Sequence, residues 1–161
     1  MPRRLWAAGA IGIAAAVAVS TVTVVHHERA EAQERAVEAL LPAPDTPVRQ
    51  VLLVYLRAAK AHQCRVTAAL MAPDGPERDA PWCGTRRHTW WSDDDPDLVS
   101  YGNVGRTSHV SAEHAPAAEE CIPVDIVQKG MSGADPGSLP GWEFCFTHTA
   151  DGWRLFDEGY G

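Results

Sequence analysis

The sequence predicts an α+β protein in which an N-terminal transmembrane helix precedes a small domain of helices packed on an antiparallel sheet. Three observations predict it. The run Leu5 to Val25, LWAAGAIGIAAAVAVSTVTVV, carries no charged residue; apolar residues between Val48 and Ala59 recur with a helical period; and from Arg87 onward apolar residues fall into short β-type runs parted by Asp, Gly and Pro.

A hydrocarbon core of about 30 Å needs roughly 20 apolar residues in helix, which Leu5 to Val25 supplies. Arg3 and Arg4 before it, with His26, His27 and Glu28 after it, keep the N-terminus cytoplasmic and send the rest of the chain outside, with Trp6 at the inner interface. The competing reading is a cleaved secretory signal. Signal cores are shorter, ~7 to 15 residues, and the nearest small-x-small site, Ala30-Glu31-Ala32, lies beyond two histidines, an acid and an arginine. Both readings place the remaining chain outside the cytoplasm. Ala8, Gly12, Ala16 and Ser20 recur every four residues, a stripe that would let two spans approach closely and form a homodimer.

Residues 1–25 thus form a cytoplasmic tip and span, 26–45 a juxtamembrane helix and proline linker, and 46–161 one folded domain, large enough to bury a core. Of 14 basic residues, Arg3 and Arg4 stay inside, which leaves 12 against 21 acidic outside. That balance opposes nucleic acid and anionic lipid headgroups as partners. Four cysteines, none in a CxxC, read in an oxidising compartment as two disulfides and not as a metal cluster.

HHERAEAQERAVEALL, residues 26–41, continues the first helix until Pro42 and Pro44 stop it. Thr46-Pro47 is a helix start, with Thr46 as cap and Pro47 at the first helical position. Val48, Val51, Leu52, Tyr55, Leu56 and Ala59 form the buried face of that helix, and a shorter one covers Cys64 to Met71. The strands are HTWW, LVSYGNV, ECIPVDIVQ, GWEFCFTHT and GWRLFD, the last three as a meander. Alternation puts Trp142, Phe144, Phe146 and His148 on the core face of one strand, and Ile122, Val124 and Ile126 on that of its neighbour. Cys121 and Cys145 then share the other face and are expected to be bonded, with Lys129 to Pro140 as a long connection. Ala150-Asp151-Gly152 is a tight hairpin turn. Cys64 and Cys83 are expected to staple the turn-rich segment between them.

The helix TPVRQVLLVYLRAAKAHQCRVTAALM, the WCG at Trp82 to Gly84 and the terminal DGWRLFDEGYG resemble the nuclear-transport-factor-two-like superfamily, also called cystatin-like or ketosteroid-isomerase-like, and within it the membrane-anchored members common in actinobacteria. The resemblance covers roughly the last two thirds of the chain and implies a cone, in which the helices pack on a curved sheet. This superfold hosts enzymes, scaffolds and assembly factors alike.

The chemical candidates are sparse. Asp93, Asp95 and Asp97 begin like a calcium loop, but Leu98 stands where an EF-hand needs Gly and Val104 where it needs the bidentate Glu. His109, Glu113, His114, Glu119, Glu120 and Cys121 match no compact zinc spacing, so no metal site is assigned, and no cofactor is called for. Enzymes of the resembled kind use an Asp or His base with Tyr or acid donors inside an apolar cavity. Here Tyr55, Tyr101 and His148 are the candidate ligand-binding residues, and Asp125 faces outward beside Cys121, so no inward carboxylate supports catalysis.

The favoured reading is a non-enzymatic, membrane-anchored extracytoplasmic domain that binds an envelope protein. The alternatives are a carrier of a small apolar ligand in the cone and an isomerase- or dehydratase-like enzyme. A filled cone with an exposed aromatic patch favours the first, a large dry cavity the second, and a cavity with an inward carboxylate the third.

Overall fold

The computed structural model describes residues 31–75, 81–83, 96–113, 118–129 and 137–160. The chain divides into two units, Met1–Leu40 and Leu41–Gly161. In the first, residues 31–38 form a helix, α1, exposed on nearly every side. No described helix is long and apolar enough to cross a membrane, and the span expected at Leu5 to Val25 lies outside the described residues. So do the HTWW strand, Asp93, Asp95 and His114.

The second unit is α+β: two helices, α2 (Val48–Lys60) and α3 (Cys64–Leu70), and five strands, β1 (Asp97–Gly102), β2 (Ser108–Val110), β3 (Glu119–Lys129), β4 (Gly137–Thr149) and β5 (Gly152–Gly159). Every residue assigned to the buried face of α2 is buried. Its start differs from expectation, because Pro47 takes the cap position and Thr46 makes no side-chain cap. The Pro47 carbonyl instead accepts the first helical bonds, from the amides of Gln50 and Val51. At the other end His62 adopts a left-handed φ of 53°. The His62 amide donates to Ala59 O and the Gln63 amide to Ala58 O, the paired bonds of a Schellman stop. Glycine is usual there, so the sequence carries no clear sign of the stop. α3 ends at Leu70, one residue early, since Met71 turns extended and pairs in parallel with Leu155.

The sheet is antiparallel, in the order β1-β3-β4-β5, with β2 also on β3. β3, β4 and β5 form the expected meander. β1 faces Asp125 to Lys129 and β2 faces Glu119 to Cys121, so both lie along one side of β3. Pro123 explains the break between them. Its carbonyl accepts the Gly105 amide at 2.7 Å, so the side of β3 on which Pro123 has no donor faces the 103–107 loop and not β4. Arg49 holds that loop from α2, donating to Gly105 O at 2.6 Å and Val104 O at 2.9 Å. The three-residue β2 was not expected, because SHV is too short to show alternation.

β4 begins at Gly137, so the connection expected from Lys129 to Pro140 is shorter, and Gly137 already pairs with Gln128. Pro140 and Gly141 lie opposite the single residue Asp125, a bulge that Gly141 enters with a φ of 69°. On the core face Ile122, Val124, Ile126, Phe144, Phe146 and Leu155 are fully buried, as are Leu52, Tyr55 and Leu56 of α2, and Tyr55 meets Phe144. His148, expected in that core, is exposed, and Trp142 is half-buried. His148 stands one residue before the β4 terminus, opposite Trp153, where the hairpin runs out beyond the core.

At the hairpin turn only Gly152 takes a positive φ, 97°, so the conformational demand falls on the glycine and Asp151 is spared it. The expected linker Pro42 to Asp45 packs here. A Cβ on Gly152 would stand 2.7 Å from Pro44 O and 2.8 Å from Pro44 Cα, whereas one on Gly141 would meet nothing within 4 Å. Gly141→Ala should therefore cost only the conformational penalty, ~1 kcal/mol, while Gly152→Ala adds a backbone collision and should cost more than about 2 kcal/mol. Urea melts of the two variants compare them directly; equal losses would mean that the Pro44 contact is easily displaced.

Candidate functional site

Two clusters, one on each face of the sheet, contain the described residues with chemical potential. The inner cluster is aromatic. Tyr55, fully buried on α2, meets Trp82 and Phe144 edge-on, with ring centroids 6.5 Å and 6.1 Å away, and Trp82 lies 6.2 Å from Phe144. The Trp82 indole N–H donates to Gln128 Oε1 at 2.7 Å, which lets two polar side chains stay buried. Trp82 has a positive φ of 62°, costly for a bulky residue, and the next residue, Cys83, is bonded to Cys64. The bridge thus sets a strained residue into the core. Thr67, also buried, donates to Cys83 Sγ at 3.3 Å.

The Cys64–Cys83 pairing agrees with expectation, with Cα atoms 5.3 Å apart. Its loop of 19 residues corresponds to about 3 kcal/mol in the chain-entropy account. Converting both cysteines to Ser should lower stability by roughly that amount and expose Trp82, read as a red shift of tryptophan fluorescence before the global transition. Unchanged emission would mean that Gln128 and the neighbouring rings hold Trp82 without the bridge.

The outer cluster surrounds the other expected bridge. Cys121 faces Cys145 directly in the β3–β4 register, with Cα atoms 4.0 Å apart, and the two are bonded. Alternation places Glu119 on the same face as Cys121, two residues earlier, and register puts Asp157 of β5 opposite Cys145. One carboxylate oxygen of Glu119 and the two sulfurs lie within 4.8 Å of one another. Three such atoms could suggest a metal centre, but bonded sulfurs are not thiolates, which a metal would need. Glu119 is 6 % exposed, and burial first, with the charge of Asp157 second, pushes its carboxyl above the usual range.

Asp125 behaves oppositely. At the surface of the bulge it accepts the Asn103 side-chain amide at 2.7 Å and the Gly141 backbone amide at 2.8 Å, and these bonds, in that order, hold its carboxyl below the usual range. It is a fastener of the bulge and points away from the core, as the alternation of β3 implies.

The three candidate ligand-binding residues are not brought together. Tyr55 is in the aromatic core, Tyr101 stands half-buried opposite Ile126, and His148 is exposed with its ring edge-on to Trp153 at 4.8 Å. Tyr101 is opposite Ile126, and Thr147, the residue before His148, is opposite Glu119, so seven steps of β3, roughly 23 Å at ~3.3 Å per residue, already separate Tyr101 from the neighbour of His148. Sequence reasoning missed Trp82 and Gln128 as core residues and Glu119 as a neighbour of the bridge. The Glu119-Glu120-Cys121 spacing could have indicated the last, since residues two apart in a strand share a face. His109, drawn with Glu119 in one sequence grouping, is exposed on β2.

Compared with protein-family models, curated proteins and solved structures, the chain finds no match.

The raised carboxyl of Glu119 has a consequence for stability. Because the folded state holds its proton more tightly than the unfolded one, its stabilising contribution is complete below the unfolded-state pKa and is lost as pH rises through the folded-state value. Glu119→Gln should therefore raise the midpoint of thermal unfolding at pH 7 and leave it nearly unchanged at pH 4. A variant no more stable at pH 7 than the wild type would contradict the burial cost assigned to the ionised Glu119.

Proposed function

We propose that this chain is a single-span, membrane-anchored extracytoplasmic protein whose α+β domain, a cone of the nuclear-transport-factor-two-like kind, acts by binding other proteins of the envelope and not by catalysis. The observation that carries the reading is the interior packing: Tyr55, Trp82 and Phe144 meet ring to ring between α2 and the sheet. An apolar carrier or an isomerase-like enzyme would keep that space for its ligand. Tyr160, 62 % exposed and edge-on to Trp142 at 5.1 Å, offers aromatic surface instead. The two disulfides fit an oxidising compartment, and the uncharged run Leu5 to Val25 supplies the anchor.

The test has two arms. In cells, the full chain should stay in the membrane pellet through an alkaline wash, and protease added outside should remove the domain and leave a short protected N-terminal fragment. Release into the supernatant, or a mature protein beginning after Ala32, would replace the anchor with a cleaved signal. In solution, an apolar fluorescent probe should show no saturable binding to the folded chain. Saturable micromolar binding would favour the carrier reading.

A further inference from the structure

Protein binding makes no use of the outer cluster around Cys121 and Cys145, where a buried carboxyl group stands beside the bridge. The two sulfurs are unequal: Cys121 is 2 % exposed, whereas Cys145 is half-buried. Both lie within 4.8 Å of a Glu119 carboxylate oxygen, and no hydrogen bond among the described residues occupies that carboxyl group.

We propose that Cys121–Cys145 is a thiol–disulfide exchange site for an external dithiol, with Glu119 as the proton donor and acceptor for the buried sulfur of Cys121. Cys145 belongs to the less buried of the two residues, so its Sγ is the atom assigned to attack. A thiolate of the incoming dithiol attacks it, a bond forms between that sulfur and Cys145 Sγ, and the Cys121–Cys145 bond breaks with its electron pair on Cys121 Sγ. A thiolate left at this buried position would be poorly solvated. In its protonated form Glu119 gives Cys121 a proton and becomes a carboxylate. The second thiol of the reagent, once deprotonated, then attacks its own sulfur in the mixed disulfide and expels Cys145 as thiolate, which takes a proton from water. Glu119 regains a proton from solvent, so in sum the protein disulfide is reduced to two thiols while the dithiol is oxidised to a disulfide. In the reverse direction Glu119 takes the proton from Cys121.

The surroundings select the reagent and set the pH range. Burial first, and the charge of Asp157 second, raise the Glu119 carboxyl above its usual range, and Asp157, opposite Cys145 and exposed, repels anionic thiols, so an uncharged or basic dithiol is favoured. Glu120 shares β3 with Glu119 but points to the other face, and Arg154 of β5 is opposite Thr147, in the same cross-strand row as Glu119. Cys64–Cys83 has no such carboxyl group described beside it; its neighbour is the Thr67 hydroxyl. That bridge therefore serves as a reference within the same molecule.

The experiment uses the oxidised full chain in detergent micelles with dithiothreitol as the dithiol, between pH 5 and pH 8. Aliquots are quenched, alkylated and read by mass spectrometry for each pair, and rates are divided by the thiolate concentration. In the wild type the normalised rate for Cys121–Cys145 should fall as pH rises through the titration of Glu119. At pH 5 Glu119→Gln should lower it by at least about tenfold and leave Cys64–Cys83 unchanged, since a positioned proton donor contributes on the order of a hundredfold or more. Asp157→Asn, which leaves the donor in place, should move the break in the profile to lower pH. Equal normalised rates for wild type and Glu119→Gln across the range would overturn the proposal, as would a Cys121–Cys145 pair that opens only in denaturant sufficient to unfold the chain. Should Glu119→Gln not accumulate folded, an unchanged break in Asp157→Asn would overturn it alone.

Discussion

The pairing of β3 with β4 is the constraint on which the rest of the structure depends. Side chains along a strand alternate with a period of two, so a one-residue slip would send Phe144 and Phe146 outward and bring Glu143 and Thr147 into the core. Cys121 bonded to Cys145 forbids that slip. The bulge at Pro140 and Gly141, fastened by the Asp125 carboxylate, secures the register a second time farther along the same pair of strands. Two covalent and polar restraints on one outer face thereby decide what the inner face presents to α2.

From this pair outward the fold is assembled from side chains that hold backbone. Pro123 removes a donor from β3, the chain beside it leaves the ladder, and Arg49 gathers the departing carbonyls back to α2. Beyond β5, Ala72 donates to Leu155 O at 2.7 Å, so the segment after α3 covers the middle of an edge that would otherwise offer unpaired groups. On the inner face Trp82 sits where helix and sheet meet, held by covalent attachment of its neighbour on one side and by Gln128 on the other. The surface polar contacts add little by comparison: exposed His62 and Lys129 reach half-buried Asp97 at 3.5 Å and 4.0 Å.

Elements with a strong internal period were legible in the sequence: the buried face of α2, the meander of β3 to β5, and both cysteine pairings. What was not legible depended on partners distant in the chain. The stop at His62 lacks the glycine that usually marks it. β2 is three residues long and exists because β3 offers it a ladder. Trp82, in a turn-rich stretch without periodicity, becomes core only through Cys83 and Gln128. For the candidate sites the same division holds. Strand alternation placed Cys121 and Cys145 together, but it could not show that Tyr101 and His148 would stand far apart along the sheet, nor that Glu119 would be nearly inaccessible at its outer face.

The staple at Cys64 and Cys83 also changes what the segment between α3 and Trp82 is free to become. Residues 71–75 are tied to β5 through Leu155, and residues 82–83 are tied to the core and to α3, so the chain enters and leaves this stretch at fixed points. Closure entropy grows only with the logarithm of length, about 0.6 kcal/mol for each doubling. A change of chain length between the fixed points at residues 75 and 82 would therefore cost little closure entropy, while the packing of Tyr55, Trp82 and Phe144 stays as it is.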